Sequence, residues 1–398
     1  MSYAPTLTAW SAAAHALLTA RAGDVTVLVD SGVPESAPFL TTVGDVISSL
    51  GRNPVVRRVA PHAGLDTVAQ LHDLMSTSAA TVAIGGGSLL DAAKLARLWA
   101  QRGFRERLTA RTRSGFVALR PTMAQPATVL VAVPTTLGTG SESSSVAIAD
   151  VAGRRRLVSG AHLRPDSCVL LGDAASTLPD PLQREGVVEV LLRLASSFVG
   201  DVDGDPLRDA LVPTLCRAVI DVLHRDLGDA ARHLVLRAGA LSHHGELPPG
   251  NPYGARAWYV GTELSAVLGL RKMAVLPAVT IAAWRLIEAG DERWGSAQRL
   301  EALRGQLDAS GRTASDWLTG LLQGAGLATT IGVPAATVPA LAERTLRHWG
   351  QGLPMLPDLD SADVQRLVRD ASRPPRPLQR LSMSSRVATP VPTIPSAL

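Results

Sequence analysis

TVAIGGGSLLDAAKLARLWA, residues 81–100, runs a short β-branched segment (Thr81, Val82, Ile84) into three consecutive glycines, Gly85, Gly86 and Gly87. Ser88 then opens a helix with Leu89, Leu90, Ala93, Leu95 and Ala96 at helical spacing. Glycines let the phosphates of a ligand approach the backbone, and the free N–H groups at a helix start favour an anion, so a nucleotide pyrophosphate is the natural guest. Taken alone, the same residues would serve as a tight structural turn.

Upstream, residues 25–29 form an apolar strand that ends at Asp30-Ser31-Gly32. An acidic residue there can accept hydrogen bonds from a ribose and repel a 2′-phosphate, which favours NAD over NADP; it can also be an ordinary turn aspartate. Residues 1–23 contain an Ala/Leu-rich helical segment. A helix over 42–50, a strand over 55–59 and a helix over 65–76 continue a βαβ alternation that predicts a parallel sheet. Downstream, the apolar strand at 127–133 enters Pro134-Thr-Thr-Leu-Gly-Thr-Gly-Ser-Glu142, whose hydroxyls and glycines make a polar cradle suited to phosphate or ribose.

From Asp180 the pattern turns helical, with helices predicted over 183–199, 206–223, 229–243, 255–268 and 274–287 and turns at Pro248–Pro252 and Gly352–Pro357. From Arg373 the chain is rich in proline, serine and threonine and cannot hold a helix. The fold class expected is therefore an α/β Rossmann-like parallel-sheet domain (1–178), an all-α domain (179–372) and a Pro-rich tail (373–398).

A chain of 398 residues affords two ordinary domains, and a mean hydropathy of +0.16 fits a well-packed interior. No run of about 18 uncharged apolar residues is present, so no membrane span is expected. There is no secretory pattern, and Cys168 and Cys216 are too few for a disulfide framework, which together predict a cytoplasmic protein. The net charge of +4 is carried by scattered arginines with few aromatic residues, which argues against a nucleic-acid partner.

Gly85-Gly86-Gly87-Ser88 with Asp91 and Lys94, then Pro134-Thr135-Thr136 with Gly138-Thr139-Gly140-Ser141-Glu142, then Pro165-Asp166 and Leu178-Pro179, resembles the iron-containing alcohol dehydrogenase family. The resemblance covers roughly residues 20–290. It implies a cleft between the two domains that holds nicotinamide, substrate and usually a divalent metal, in a dimer or larger assembly. By position it assigns Asp30 to the adenosine ribose, Gly86, Gly87 and Ser88 to the pyrophosphate, and Asp91 to the nicotinamide side. Thr135, Thr136 and Thr139 would meet phosphate and ribose.

The family's metal ligands are an aspartate and three histidines, the first two at i and i+4 on one helix. Here that helix reads Gly186-Val-Val-Glu-Val-Leu-Leu-Arg193, with valine and leucine in those places, and the later segment from Trp258 to Leu276 has no histidine. Compared with the related dehydroquinate synthases, Glu189 matches the glutamate, but Thr262 and Arg271 stand near the histidine positions. No catalytic metal is expected. His243 and His244 are then candidate general bases, since histidine titrates near neutrality, although paired histidines before a Glu-Pro-Pro turn can equally cap a helix; Tyr259 and Glu263 are weaker candidates. Arg193, Arg256, Arg271 and Lys272 lie on the segments that lost the ligands and would suit a carboxylate.

These readings predict a metal-independent, NAD-dependent dehydrogenase acting on a hydroxyl near a carboxylate of a small molecule or peptide. A β-hydroxy acid would give a β-keto acid that loses carbon dioxide, as in the dehydrogenase-like oxidative decarboxylases of daptide-type peptide biosynthesis, which this pattern resembles. Two other readings stand beside it: an NAD-binding pseudoenzyme acting as a partner protein, and a metal-dependent alcohol or polyol dehydrogenase with ligands relocated to His233, His243 and His244.

Overall fold

The structure, a computed structural model, describes residues 12, 15–17, 23–60, 62–110, 114–120, 126, 128–243 and 251–374. His244, most of the expected N-terminal helix, Pro248 to Gly250 and the tail from residue 375 lie outside the described residues.

Five strands, β1 (Val25–Asp30), β2 (Pro54–Val59), β3 (Ala80–Gly85), β5 (Val129–Pro134) and β8 (Ser167–Cys168), form one sheet in the order β2-β1-β3-β5-β8, every pairing parallel. All six residues of β3 are buried, as a central parallel strand covered on both faces requires. On one face Val27, Val29, Val82, Ile84 and Val133 pack with Phe39, Val43 and Ile47 of α1 (Pro38–Ser49). On the other, Leu28, Ala83, Leu130 and Ala132 pack with Val68, Leu71 and Met75 of α2 (Leu65–Ser76) and with Leu89, Leu90 and Ala93 of α3 (Gly87–Ala96). Each of these large side chains, removed from water, contributes about 1.5–3 kcal/mol before chain entropy is counted. A short helix, α4 (Phe104–Thr109), follows α3.

A second sheet, which the sequence reading did not anticipate, comprises β4 (Phe116–Ala118), β6 (Val146–Val151) and β7 (Arg154–Ser159) in the order β4-β7-β6. β6 and β7 are an antiparallel hairpin closed by Ala152 and Gly153, both at positive φ (53° and 74°), the geometry of a two-residue turn. The run Arg154 to Arg156 opens β7.

Beyond β8 the described chain is helical: α5 (Asp180–Val199), α6 (Pro206–Leu223), α7 (Asp229–His243), α8 (Arg256–Leu268), α9 (Leu276–Glu288), α10 (Ala297–Leu307), α11 (Ala314–Gly324), α12 (Val338–Trp349) and α13 (Ser361–Ala371). These helices share one core, in which α5 buries Val187, Val188, Val190, Leu191, Leu192 and Leu194. The result is a parallel α/β sheet followed by an all-helical region, the architecture expected from the sequence pattern.

Candidate active site

The strand order places β1 and β3 side by side at the point where the chain reverses direction across the sheet, and open α/β sheets bind ligands in the crevice beyond such a point. The carboxyl ends of both strands meet there. A Cβ at Gly85 would come within 2.9 Å of Asp30 Cβ and 2.8 Å of Leu89 Cδ2, so only glycine lets β3 turn into α3 beside β1. Gly86 and Gly87 are constrained from the opposite side, where a Cβ would lie 3.0 Å from Thr136 Cγ2 and from Thr139 Cγ2 respectively. The helix starts at Gly87 with no side-chain cap, leaving backbone donors for an anion, and Ser88 beside it is exposed. Thr136 Oγ1 is buried without a partner, whereas the Thr135 backbone N–H donates to Gly85 O at 3.0 Å. An orphaned hydroxyl over a glycine turn is the condition of a site that completes its hydrogen bonds with a ligand.

Two of the anticipated cofactor residues have local partners. Asp30 Oδ1 accepts from the Gly32 backbone N–H at 2.8 Å. The Asp91 carboxylate accepts from Ser141 Oγ at 2.5 Å and from the Ile148 N–H at 2.9 Å, and pairs with Lys94 Nζ at 3.1 Å. Lys94, fully buried, also donates to Ser141 O and Ser144 Oγ. Asp91 and Lys94 therefore brace the loop that carries Thr139.

That loop, residues 138–144, is also gripped by the helical region. Gly138 (φ 93°) abuts Gly186 of α5, and Ser143 Oγ donates to Ala240 O of α7 at 3.3 Å. Arg193 Nη2 donates to Gly138 O, to Thr139 O at 3.3 Å and to Glu189 Oε1 at 3.0 Å, while Nη1 donates to Ser242 Oγ at 3.2 Å. Lys272 Nζ meets the same Glu189 oxygen at 2.5 Å, and both cations lie over the Trp258 ring, at 5.5 Å for Arg193 and 5.1 Å for Lys272. Burial alone would raise the Glu189 pKa, but Lys272 and Arg193 together hold it below the usual carboxylate range.

His243 closes the same space, because a Cβ at Gly140 would run into its ring. Its Nε2 is buried without a partner. The expectation of an imidazole poised near neutrality is corrected here: burial, and then Arg193, Lys94 and Lys272, push its pKa well below the ordinary value, with only a Thr139 backbone contact acting the other way. Glu142, part of the predicted cradle but assigned no task from sequence, is buried with Oε2 unpartnered, and burial raises its pKa to about 7.

Other expected site residues lie elsewhere. Tyr259 packs into the helical core against Trp349, ring centroids 5.2 Å apart, and burial raises its pKa further. It shares that side of α8 with Glu263, which accepts from Trp349 Nε1, His348 Nδ1 and Arg344 Nε. The neighbouring Trp258, not singled out from sequence, faces the cations instead. Arg271 is exposed and paired with Glu185 at 2.6 Å. Arg256 donates to Arg293 O, beside Gly254 and Trp294. Of the four basic candidates, only Arg193 and Lys272 come together.

Residues 9–171 match the family model for iron-containing alcohol dehydrogenase. The match takes in the parallel sheet and ends before the helical region begins at Asp180. Among curated proteins, the chain is similar to a phosphonoacetaldehyde reductase of Streptomyces viridochromogenes, 33% identical over 173 residues that cover 41% of this chain and 42% of the relative. It is also similar to the probable alcohol dehydrogenase EutG of Escherichia coli, 30% identical over 222 residues, 53% of each chain. The matches thus span about half the length of these relatives. Among solved structures, an iron-containing alcohol dehydrogenase from Thermococcus thioreducens superposes with a TM-score of 0.73 at 16% identity, over 88% of this chain and 92% of that one. NADH-dependent butanol dehydrogenase A from Thermotoga maritima gives 0.72 at 16% identity, over 92% and 94%. The two-domain fold of the iron-containing alcohol dehydrogenases therefore extends over the helical region.

The family's name implies iron, and the donors described here do not fit it. No group of three or more His, Cys, Asp or Glu side chains among the described residues is arranged to hold a metal ion. The buried carboxylate that α5 offers, Glu189, already carries Arg193 and Lys272, and a dication would be repelled by both.

Proposed function

We propose that this protein is an NAD-dependent oxidoreductase that interconverts an alcohol and its carbonyl compound, on a small molecule or peptide bearing a carboxylate or similar anion, without a catalytic metal. The observation that carries the reading is the Arg193–Glu189–Lys272 assembly, which Arg193 ties to Gly138 O and Thr139 O of the loop whose Thr139 side chain packs against Gly87 of the glycine turn. Arg193 is saturated by the loop, Glu189 and Ser242, whereas Lys272 has one acceptor and a side chain 33% exposed. Lys272, the more exposed of the two cations, is the one that receives an anionic substrate. The phosphonoacetaldehyde reductase relative is named for a substrate of that kind, an aldehyde beside an anionic group.

The glycine turn, Thr135, Thr136 and Thr139 hold the dinucleotide, and Asp30 at the end of β1 favours NAD. Bound dinucleotide supplies the hydride acceptor; the chain's own residues orient the alcohol, exclude water and take its proton. Where the substrate is a β-hydroxy acid, oxidation gives a β-keto acid and then carbon dioxide, and a peptide ending in threonine would fit this class.

The test is nicotinamide reduction by chelator-treated protein given NAD and a panel of simple alcohols, polyols, β-hydroxy acids, phosphonate alcohols and peptides ending in serine or threonine. Turnover confined to anionic compounds is expected, with carbon dioxide released from the β-hydroxy acids. Turnover only after iron or zinc is restored would overturn the metal-free reading. NADH binding with no turnover under any condition would make the protein a binding partner rather than an enzyme.

A further inference from the structure

Five carboxylates are buried among the described residues: Glu142, Glu189, Asp201, Glu263 and Asp363. Four have cations within ion-pair distance, namely Glu189 with Arg193 and Lys272, Asp201 with Arg208, Glu263 with Arg344, and Asp363 with Arg293. Glu142 differs. It is 3% exposed, its Oε2 has no hydrogen-bond partner, and no ion pair with another described residue reaches it. A carboxylate left in this state is costly, and the fold tolerates such an atom where a ligand is to meet it.

Its location supports that purpose. Glu142 sits in the loop that joins the glycine turn to the helical wall, two residues from Gly140, whose missing side chain makes room for the His243 ring. That ring contributes a second buried, unpartnered atom, Nε2. Lys94 and Asp91 of α3 and Arg193 of α5 act electrostatically on Glu142, and Arg193 and Lys94, with Lys272, act likewise on His243 of α7. Arg193 and Lys94 favour the anion and Asp91 opposes it, but burial exceeds all three. The carboxyl is thereby poised near neutrality, where proton transfer is most effective, whereas His243 is held too far below neutrality to store a proton.

Resting on the dehydrogenase reading above, we infer that Glu142 is the proton acceptor for alcohol oxidation at this cleft and the donor for the reverse reduction. With dinucleotide bound, the oxidised nicotinamide would accept the hydride released as the alcohol C–H bond breaks. The O–H bond breaks and its proton goes to Glu142 Oε2, while the C–O bond becomes a carbonyl. The alcohol is oxidised, the dinucleotide is reduced, and the proton leaves from Glu142 as product departs. His243 Nε2 is the positioning atom that directs the substrate oxygen.

The experiment compares wild type with Glu142→Gln, which keeps the shape and removes the titration, measuring kcat and KM from pH 5.5 to 9 together with NADH binding. For E142Q we expect kcat to fall about 100-fold or more, NADH affinity to be retained, and the kcat limb near pH 7 to disappear. Retained NADH binding shows that the variant is folded. E142Q with the wild-type rate and an intact limb would overturn the assignment of Glu142 alone. A wild type that oxidises nothing in the panel would overturn the dehydrogenase reading, and this role with it.

Discussion

Lys272 and Arg193 share one carboxylate but differ in what else they hold, and that difference separates their mutants. Lys272 has Glu189 and the Trp258 face as its partners, so its removal leaves the loop in place. A charge-assisted contact to a substrate anion is worth about 1.5–3 kcal/mol, which makes K272M a variant with KM raised roughly 10- to 100-fold for anionic substrates and NADH affinity unchanged. Equal loss of both in a titration of each ligand would refute that division. Gly138 belongs to the same contact from the loop side. Its φ of 93° is disfavoured for other residues, and a Cβ would lie 2.5 Å from Gly186 O and 2.9 Å from Glu189 Cβ. G138A should therefore lose about 3 kcal/mol or more in urea unfolding, because the obstacle is helix backbone that cannot swing aside. Gly153, equally positive in φ (74°) but with nothing near it, should cost only the turn strain.

The elements were legible where one period decided them. The β3 glycine turn and α3, the doubly covered strands and helices such as 65–76, 206–223 and 229–243 follow from spacing alone. The hairpin β6–β7 was missed because its two-residue turn, Ala152-Gly153, lacks the usual Asn or Asp. On α8 the limit is rotational: adjacent residues point about 100° apart, so Trp258 faces the cations while Tyr259 faces Trp349. Sequence places an aromatic pair on the helix but not which member meets the cleft. The orphan atoms of Glu142, Thr136 and His243 were illegible for a related reason, since an unsatisfied group is defined by neighbours distant in sequence. The face of α8 that carries Tyr259 and Glu263 joins it to α12, with Trp349 Nε1 and His348 Nδ1 each 2.9 Å from Glu263 Oε1 and Arg344 Nε 2.7 Å from Oε2. Burial opposes ionisation of Glu263, but the donors from His348 and Arg344 prevail and its pKa is lowered. Its stabilisation is full above the unfolded value of about 4.3 and is lost as pH falls through the depressed folded value. E263Q should cost about 3 kcal/mol at pH 7 and show a shallower acid limb in denaturation. An unchanged unfolding midpoint would show that these donors are satisfied without the charge.

At the scale of the whole molecule, loop 138–144 is where the sheet and the helices are fastened together, and it holds a carboxyl with the opposite linkage to that of Glu263. Glu142 has its folded pKa raised, from an unfolded value of about 4.3 to about 7, chiefly by burial. The folded protein binds its proton more tightly than the unfolded chain, so stability falls as pH rises from about 4.3 to about 7 and then levels, a loss on the order of 3 kcal/mol. This penalty is what a pre-formed proton acceptor imposes on the fold that contains it. E142Q removes the ionisation and should unfold at higher urea than wild type at pH 8, with the gap closing towards pH 5. Urea midpoints for both proteins across that range check the sign directly. A variant no more stable than wild type at pH 8 would mean that the carboxylate is compensated in the free protein, and Oε2 would then not be waiting for a substrate proton.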